Sequence, residues 1–145
     1  MAQTTAPTPA RLAFLLIPPL AWMALIFTLS GQPSDELDRA WWDVGLRKLA
    51  HVTEYAVLTA LWWRALRHLG ISRPLLLAVT ICLAYAASDE VHQTFVDGRQ
   101  GTPVDVLIDS IGMTIAALAI HVTTRAAGSA DRRGRWPRRP APRAP

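Results

Sequence analysis

Residues 12–29, LAFLLIPPLAWMALIFTL, pass without a single charged side chain. A helix made of that stretch has no polar face to turn toward water, and its length approaches the roughly 20 residues that cross a hydrocarbon core. Three more apolar runs follow: Leu49–Trp63, broken by His51 and Glu54; Pro74–Ala87, uncharged; and Val104–Val122, broken by Asp105 and Asp109. The second reaches spanning length if it extends from near Val44 to near Leu69, and the third if it continues through Asp89 toward Gln93. The pattern predicts an all-α, polytopic membrane protein with four transmembrane helices. A soluble bundle with buried core helices is the competing fold, since the two middle runs are short enough to permit it. The unbroken first run argues against it, as does an apolar content of 51% in only 145 residues.

Charge is distributed unevenly along the chain. Of 15 Lys and Arg residues, Arg11 precedes the first run, Arg64, Arg67 and Arg73 surround the second connection, and Arg125 with six more follows the fourth run. Arg39, Arg47, Lys48 and Arg99 fall in the other connections. Positive-inside counting therefore predicts that both termini are cytoplasmic. All of the 11 acids except Asp131 lie in or beside the outer connections, so the outer face is expected to be acidic and polar. A cleaved signal peptide fits poorly: the n-region holds one Arg, Pro18-Pro19 interrupts the apolar stretch, and TLSGQPSDE offers no small-x-small site. Those prolines remove two backbone donors and predict a kink in a retained first helix. Cys82 has no partner for an internal disulfide and reads as a small packing residue.

Residues 1–10, MAQTTAPTPA, and 126–145, AAGSADRRGRWPRRPAPRAP, are too polar and proline-rich to build a core and are expected to be disordered, leaving 11–125 as the transmembrane domain. The basic tail is expected to be drawn to anionic lipid, at roughly 1 kcal/mol per charge near the surface. With no folded recognition motif and one aromatic, Trp136, it carries no expectation of a nucleic-acid partner. Trp22, Trp41, Trp42, Trp62 and Trp63 read mostly as interface anchors.

The polar residues inside these runs are costly, at least ~2.5–3.5 kcal/mol for a charge at the bilayer centre. Lys48, His51, Glu54 and Tyr55 follow the i, i+3, i+4 spacing that puts side chains on one helical face. Glu90 and Gln93 sit together at the end of the third run, beside Asp89 and His92. In GTPVDVLID, Thr102 is a candidate N-cap, Pro103 suits the first helical position, and Asp105 falls where a capping-box acid would sit; Asp109 follows one turn deeper. Helices of alternating direction bring these stripes to the same outer level. Turned inward, they are expected to satisfy one another in a polar pocket at the extracytoplasmic end, with Arg99 folding back to pair with carboxylates. His51 and Glu54 form an H-x-x-E pair, but two ligands without H-E-x-x-H or a Cys pair give no expectation of a metal, and no cofactor motif is present. Asp105 as a plain helix-start acid and Lys48 as a snorkelling boundary residue are readings of equal standing with a site role.

LRKLAHVTEYAVL followed by SDEVHQTFVDGRQGTPVDVLIDSIG resembles the VanZ-like family of small bacterial integral membrane proteins, whose namesake is associated with resistance to the glycopeptide teicoplanin. The likeness spans about residues 26–120. Its motifs fall on Lys48, His51, Glu54 and Tyr55, then Glu90, Gln93 and Arg99, then Asp105, Asp109 and Gly112. Many relatives have Pro where this chain has Asp97, and Asn where it has Asp109. The resemblance implies a multi-pass protein of the bacterial plasma membrane and a cell-envelope role, without fixing a reaction.

Two functional classes follow. In the first, a non-enzymatic envelope protein uses Lys48, His51, Glu54, Tyr55, Glu90, Gln93, Arg99, Asp105 and Asp109 to bind a lipid-linked or peptidoglycan-related group, such as a cell-wall precursor or a lipoglycopeptide. In the second, a membrane-embedded hydrolase or transferase uses His51 or Glu90 as general base while Arg99 and Lys48 hold an anionic, lipid-linked substrate. The first is preferred because no nucleophile with an activating base is visible; Ser88 beside Asp89 reads as a helix-end polar residue. Four spans make a small conduit for a transporter.

Overall fold

The computed structural model describes residues 7–32, 41–99 and 101–134. They form four helices: α1 (Pro9–Ser30), α2 (Trp41–His68), α3 (Pro74–Gln93) and α4 (Pro103–Gly134). The acids of the first connection, Asp35, Glu36 and Asp38, with Arg39, lie outside the described residues, as do the first six residues and 135–145.

Each helix boundary has a local cause. Thr8 caps α1, its hydroxyl accepting the Arg11 N–H at 3.4 Å with Pro9 at the first position, so helix begins within the N-terminal stretch expected to be unstructured. The helix runs on through Pro18 and Pro19 to Ser30. At the end of α2 the Gly70 N–H bonds the Arg67 carbonyl at 3.1 Å and the Ile71 N–H bonds the Leu66 carbonyl at 3.1 Å, the paired closure of a Schellman motif. It requires a left-handed residue, and Gly70 has φ +78°. Pro74 opens α3 and Pro103 opens α4. The C-terminal expectation needs correction: α4 continues nine residues past Arg125, through a stretch expected to be disordered. Ala126, Ala127, Ala130, Arg132 and Arg133 are strong helix formers, and the next proline is Pro137.

Cross-helix bonds fix the directions. Arg11 at the start of α1 reaches the His68 carbonyl at the end of α2, while Ser30 at the end of α1 reaches Asp89 near the end of α3. The helices therefore run up, down, up and down, with α2 packed against the other three and, among the described residues, no packing of α1 on α4. Ile26, Tyr55, Leu58, Cys82, Ala86 and Met113 form the buried core. Two expected interface anchors are instead packed inward. Trp22 donates its indole N–H to the Glu54 carbonyl at 3.0 Å, clipping α1 to α2, and Trp62 packs on the core. Trp22 sits within α1, eight residues before its end.

The outer surface of the bundle is apolar, and most of its buried polar side chains gather at one end of the interior. On α4, Leu107, Ile111, Ile115, Leu118 and Val122 form an exposed stripe, while Asp109, Gly112, Met113, Ala116 and Ile120 face inward. Such a surface is a liability in water and the normal one in lipid, which rules against the soluble bundle. Three helices, α1, α3 and α4, are long and apolar enough to cross a membrane. The 28 residues of α2 would extend roughly 42 Å at 1.5 Å per residue, but its polar stripe lowers its hydropathy. Its neighbours bury Tyr55 and partly cover His51 and Glu54, while Lys48 at the outer end of the stripe is exposed.

Candidate functional site

At the end of the bundle where α1 and α3 finish and α4 begins, Ser30, Asp89, Glu90, Gln93 and Asp109 are all buried. The Ser30 hydroxyl donates to Asp89 Oδ1 at 2.5 Å, and Gln93 Nε2 donates to Asp89 Oδ2 at 3.0 Å and reaches Glu90 Oε1 at 3.5 Å. Asp89 thus joins α1 to α3 with both oxygens occupied. Glu90 does a different job. Its Oε2 accepts the Thr102 N–H at 2.7 Å, while the Thr102 hydroxyl donates to Asp105 Oδ2 at 2.9 Å. In an ordinary capping box the acid at the third helical position would take that N–H. Here an acid of α3 takes it, tying the start of α4 to α3. Gly101 makes this possible, since a Cβ there would overlap the Glu90 carbonyl.

Between α2 and α4, His51 Nδ1 lies 3.1 Å from Asp109 Oδ1. Asp109 is 1% exposed, and its second oxygen has no hydrogen-bond partner; nor has the Tyr55 hydroxyl, one turn below His51 and fully buried. The charges of Asp109, Asp89 and Glu90 all act on that hydroxyl. Glu54 is half-buried, within electrostatic reach of His51, Asp109 and Arg99. The helices approach closely here because of Gly112, where a Cβ would be driven into the Val52 carbonyl oxygen.

Arg99 folds back toward the ends of α1 and α3. Gly98, at φ +71°, turns the chain, with the Arg99 N–H bonded to the Val96 carbonyl at 3.1 Å. The guanidinium then reaches the Gln32 carbonyl at 3.0 Å, the Leu29 carbonyl at 3.3 Å and Gln93 Oε1 at 3.4 Å. A cation at these carbonyls complements the negative end of the α1 dipole. Lys48, by contrast, is exposed one turn outward of His51. Ser88 is exposed and spends its hydroxyl on the Tyr85 carbonyl at 2.7 Å. Among the described residues no three His, Cys, Asp or Glu side chains gather as a metal site.

The helical spacing read from sequence missed Ser30 and passed over Asp89. Ser30 belongs to a run chosen for being apolar, and its role follows only from the parallel packing of α1 on α3. The signal available was that TLSGQ ends the first run at the same outer level as the other stripes.

A family model described as VanZ/LLP1 matches residues 5–124, most of the chain. The protein belongs to the VanZ/LLP1 family. It is a membrane protein on that ground and on its apolar helices. Searches of curated proteins and of solved structures return no match. In this VanZ/LLP1 chain both departures from the pattern lie at structurally defined positions. Asp97 occupies the second position of the 96–99 turn, where proline presets φ for a turn with a left-handed third residue. Asp109, the other position at which the sequence departs from the expected motif, forms an ion pair with His51 whenever the imidazole is protonated.

Proposed function

We propose that this VanZ/LLP1 protein crosses the bacterial plasma membrane four times, with both termini cytoplasmic, and binds a lipid-linked or peptidoglycan-related group at the extracytoplasmic polar cluster. The observation that carries the reading is the pair of buried, unpartnered atoms at its base, Tyr55 OH and Asp109 Oδ2, a donor and an acceptor. Each such group costs ~1–3 kcal/mol if nothing satisfies it. Five carboxylates, Glu54, Asp89, Glu90, Asp105 and Asp109, meet His51 and Arg99 there, an arrangement suited to a ligand rich in hydroxyl, amide or ammonium donors. Cell-wall sugar-peptides and lipoglycopeptides have that chemistry. The basic tail adds a contact to anionic lipid on the other side of the membrane.

Orientation is tested by cysteine labelling in the Cys82→Ser background. A Cys at position 35 or 97 is expected to react with an impermeant thiol reagent in intact cells, and one at position 70 is not; the reverse pattern defeats the topology.

One observation favours an enzyme as the second reading. Asp109 holds His51 through Nδ1, the arrangement that orients an imidazole for base catalysis through its other nitrogen, whereas Glu90 is occupied in capping α4. His51→Asn and Glu90→Gln separate the two readings. Measured as binding of a fluorescent lipoglycopeptide to the protein in nanodiscs, and as cellular tolerance at equal abundance, both variants are expected to show partial loss, the ~1–3 kcal/mol of an altered polar contact. A tolerance loss of about 10²–10⁴-fold in His51→Asn, with binding retained, identifies catalysis instead. Unchanged binding and tolerance in both variants would mean that the cluster serves only to hold the helices together.

A further inference from the structure

At the opposite end of the bundle, where α1 begins and α2 finishes, Arg11, Phe14, Leu15, Arg64 and His68 line a cavity of about 150 Å³. No acid is among them. Arg11 Nη2 donates to the His68 carbonyl at 3.1 Å, one of the last α2 carbonyls, which have no partner within the helix. The Arg64 guanidinium lies over the Phe14 ring, 4.9 Å from its centre. Both cations are thus held in place by contacts that leave most of their N–H donors unspent, since a guanidinium has five. Buried Leu15 forms the floor. Two guanidinium groups line one small cleft with no acid beside them, an arrangement that favours an anion there.

We propose that this cleft binds the phosphodiester headgroup of an anionic lipid. The planar guanidinium fork matches phosphate oxygens in pairs. A cleft of about 150 Å³ has room for a phosphate group. The surroundings select a lipid over a soluble anion. Phe14 is 68% exposed and Ile17, one turn further along α1, is 61% exposed, so the surface running from the cleft toward mid-membrane is one that acyl chains cover. The site is independent of the polar cluster and of the function proposed for it.

The test uses the full chain with Arg132, Arg133, Arg135, Arg138, Arg139 and Arg143 replaced by Gln, so that the basic tail contributes nothing. Native mass spectrometry from detergent measures retention of phosphatidylglycerol against phosphatidylcholine. One phosphatidylglycerol per chain is expected to be retained in preference, with Arg64→Gln weakening it about tenfold or more, the scale of a lost charge-assisted hydrogen bond. Arg64→Lys should keep part of the effect. Equal retention of the two lipids, or equal retention by Arg64→Gln and its parent, overturns the proposal. Displacement of the lipid by millimolar inorganic phosphate overturns the choice of a lipid and assigns the cleft to a soluble anion. Should Arg64→Gln fail to fold, His68→Glu at the exposed rim is the substitute: retention must fall sharply, and unchanged retention refutes the site.

Discussion

Replacing His51 by Leu is expected to destabilise the protein more than replacing Asp109 by Leu, and the double variant is expected to recover part of the loss. The asymmetry follows from burial. Removing His51 strands a carboxylate that is 1% exposed and whose second oxygen already lacks a partner, whereas removing Asp109 leaves an imidazole that is 15% exposed and can still meet solvent. Breaking a buried pair costs about 3–5 kcal/mol, so His51→Leu belongs in that range and Asp109→Leu at or below its lower end. With both gone no charge is stranded, and two leucines can pack where the pair stood. Unfolding in detergent, followed by circular dichroism, measures the cycle. A coupling of at least about 0.5 kcal/mol is expected for groups in contact; strictly additive losses would show that the two do not interact.

Gly112→Ala is expected to cost about 1–3 kcal/mol, the penalty for forcing extra volume into a filled contact, although alanine is the better helix former. The added Cβ would be driven into the Val52 carbonyl oxygen, a backbone atom that cannot rotate aside, so α4 must move off α2. Gly128→Ala supplies the control on the same helix. A Cβ there meets nothing, and the substitution is expected to be neutral or to stabilise by up to ~1 kcal/mol. Because His51 and Asp109 bridge the same two helices, separating them also lengthens that pair. Gly112→Ala should therefore lower ligand binding at the polar cluster, and Gly128→Ala should not. Equal effects of the two substitutions on stability would show that α2 and α4 are not in close contact at Gly112.

The polar cluster also explains how the most polar helix is accommodated. Taken alone, α2 is the helix least suited to lipid, with Lys48, His51 and Glu54 along one face. Within the bundle it packs against the other three helices: His51 finds Asp109 across the α4 interface, and the Glu54 backbone carbonyl accepts the Trp22 indole N–H across the α1 interface. An isolated helix in hydrocarbon must satisfy its own polar groups; a helix surrounded by others can share them.

Much of this architecture was legible in the chain itself, since it depends on local chemistry. An uncharged run the length of a bilayer admits few folds, Pro74 and Pro103 mark helix starts, and the i, i+3, i+4 spacing of His51, Glu54 and Tyr55 places them on one face whatever surrounds it. Other features depended on which surfaces meet. Asp105 looked like the capping partner of the Thr102 N–H, but Glu90, twelve residues away in sequence, holds that position because Gly101 lets the loop lie on α3. Arg99 was expected to pair with carboxylates; its hydrogen bonds include the Leu29 carbonyl of α1, the Gln32 carbonyl just past that helix and the Gln93 amide oxygen. Ser30 acquired a role only because α1 runs parallel to α3. Periodicity determines which side of a helix a residue occupies, from the backbone geometry of that helix alone. The partner it meets there depends on helix direction, close approach at glycines and chain reversal at Gly98, and these are set by packing between segments far apart in sequence.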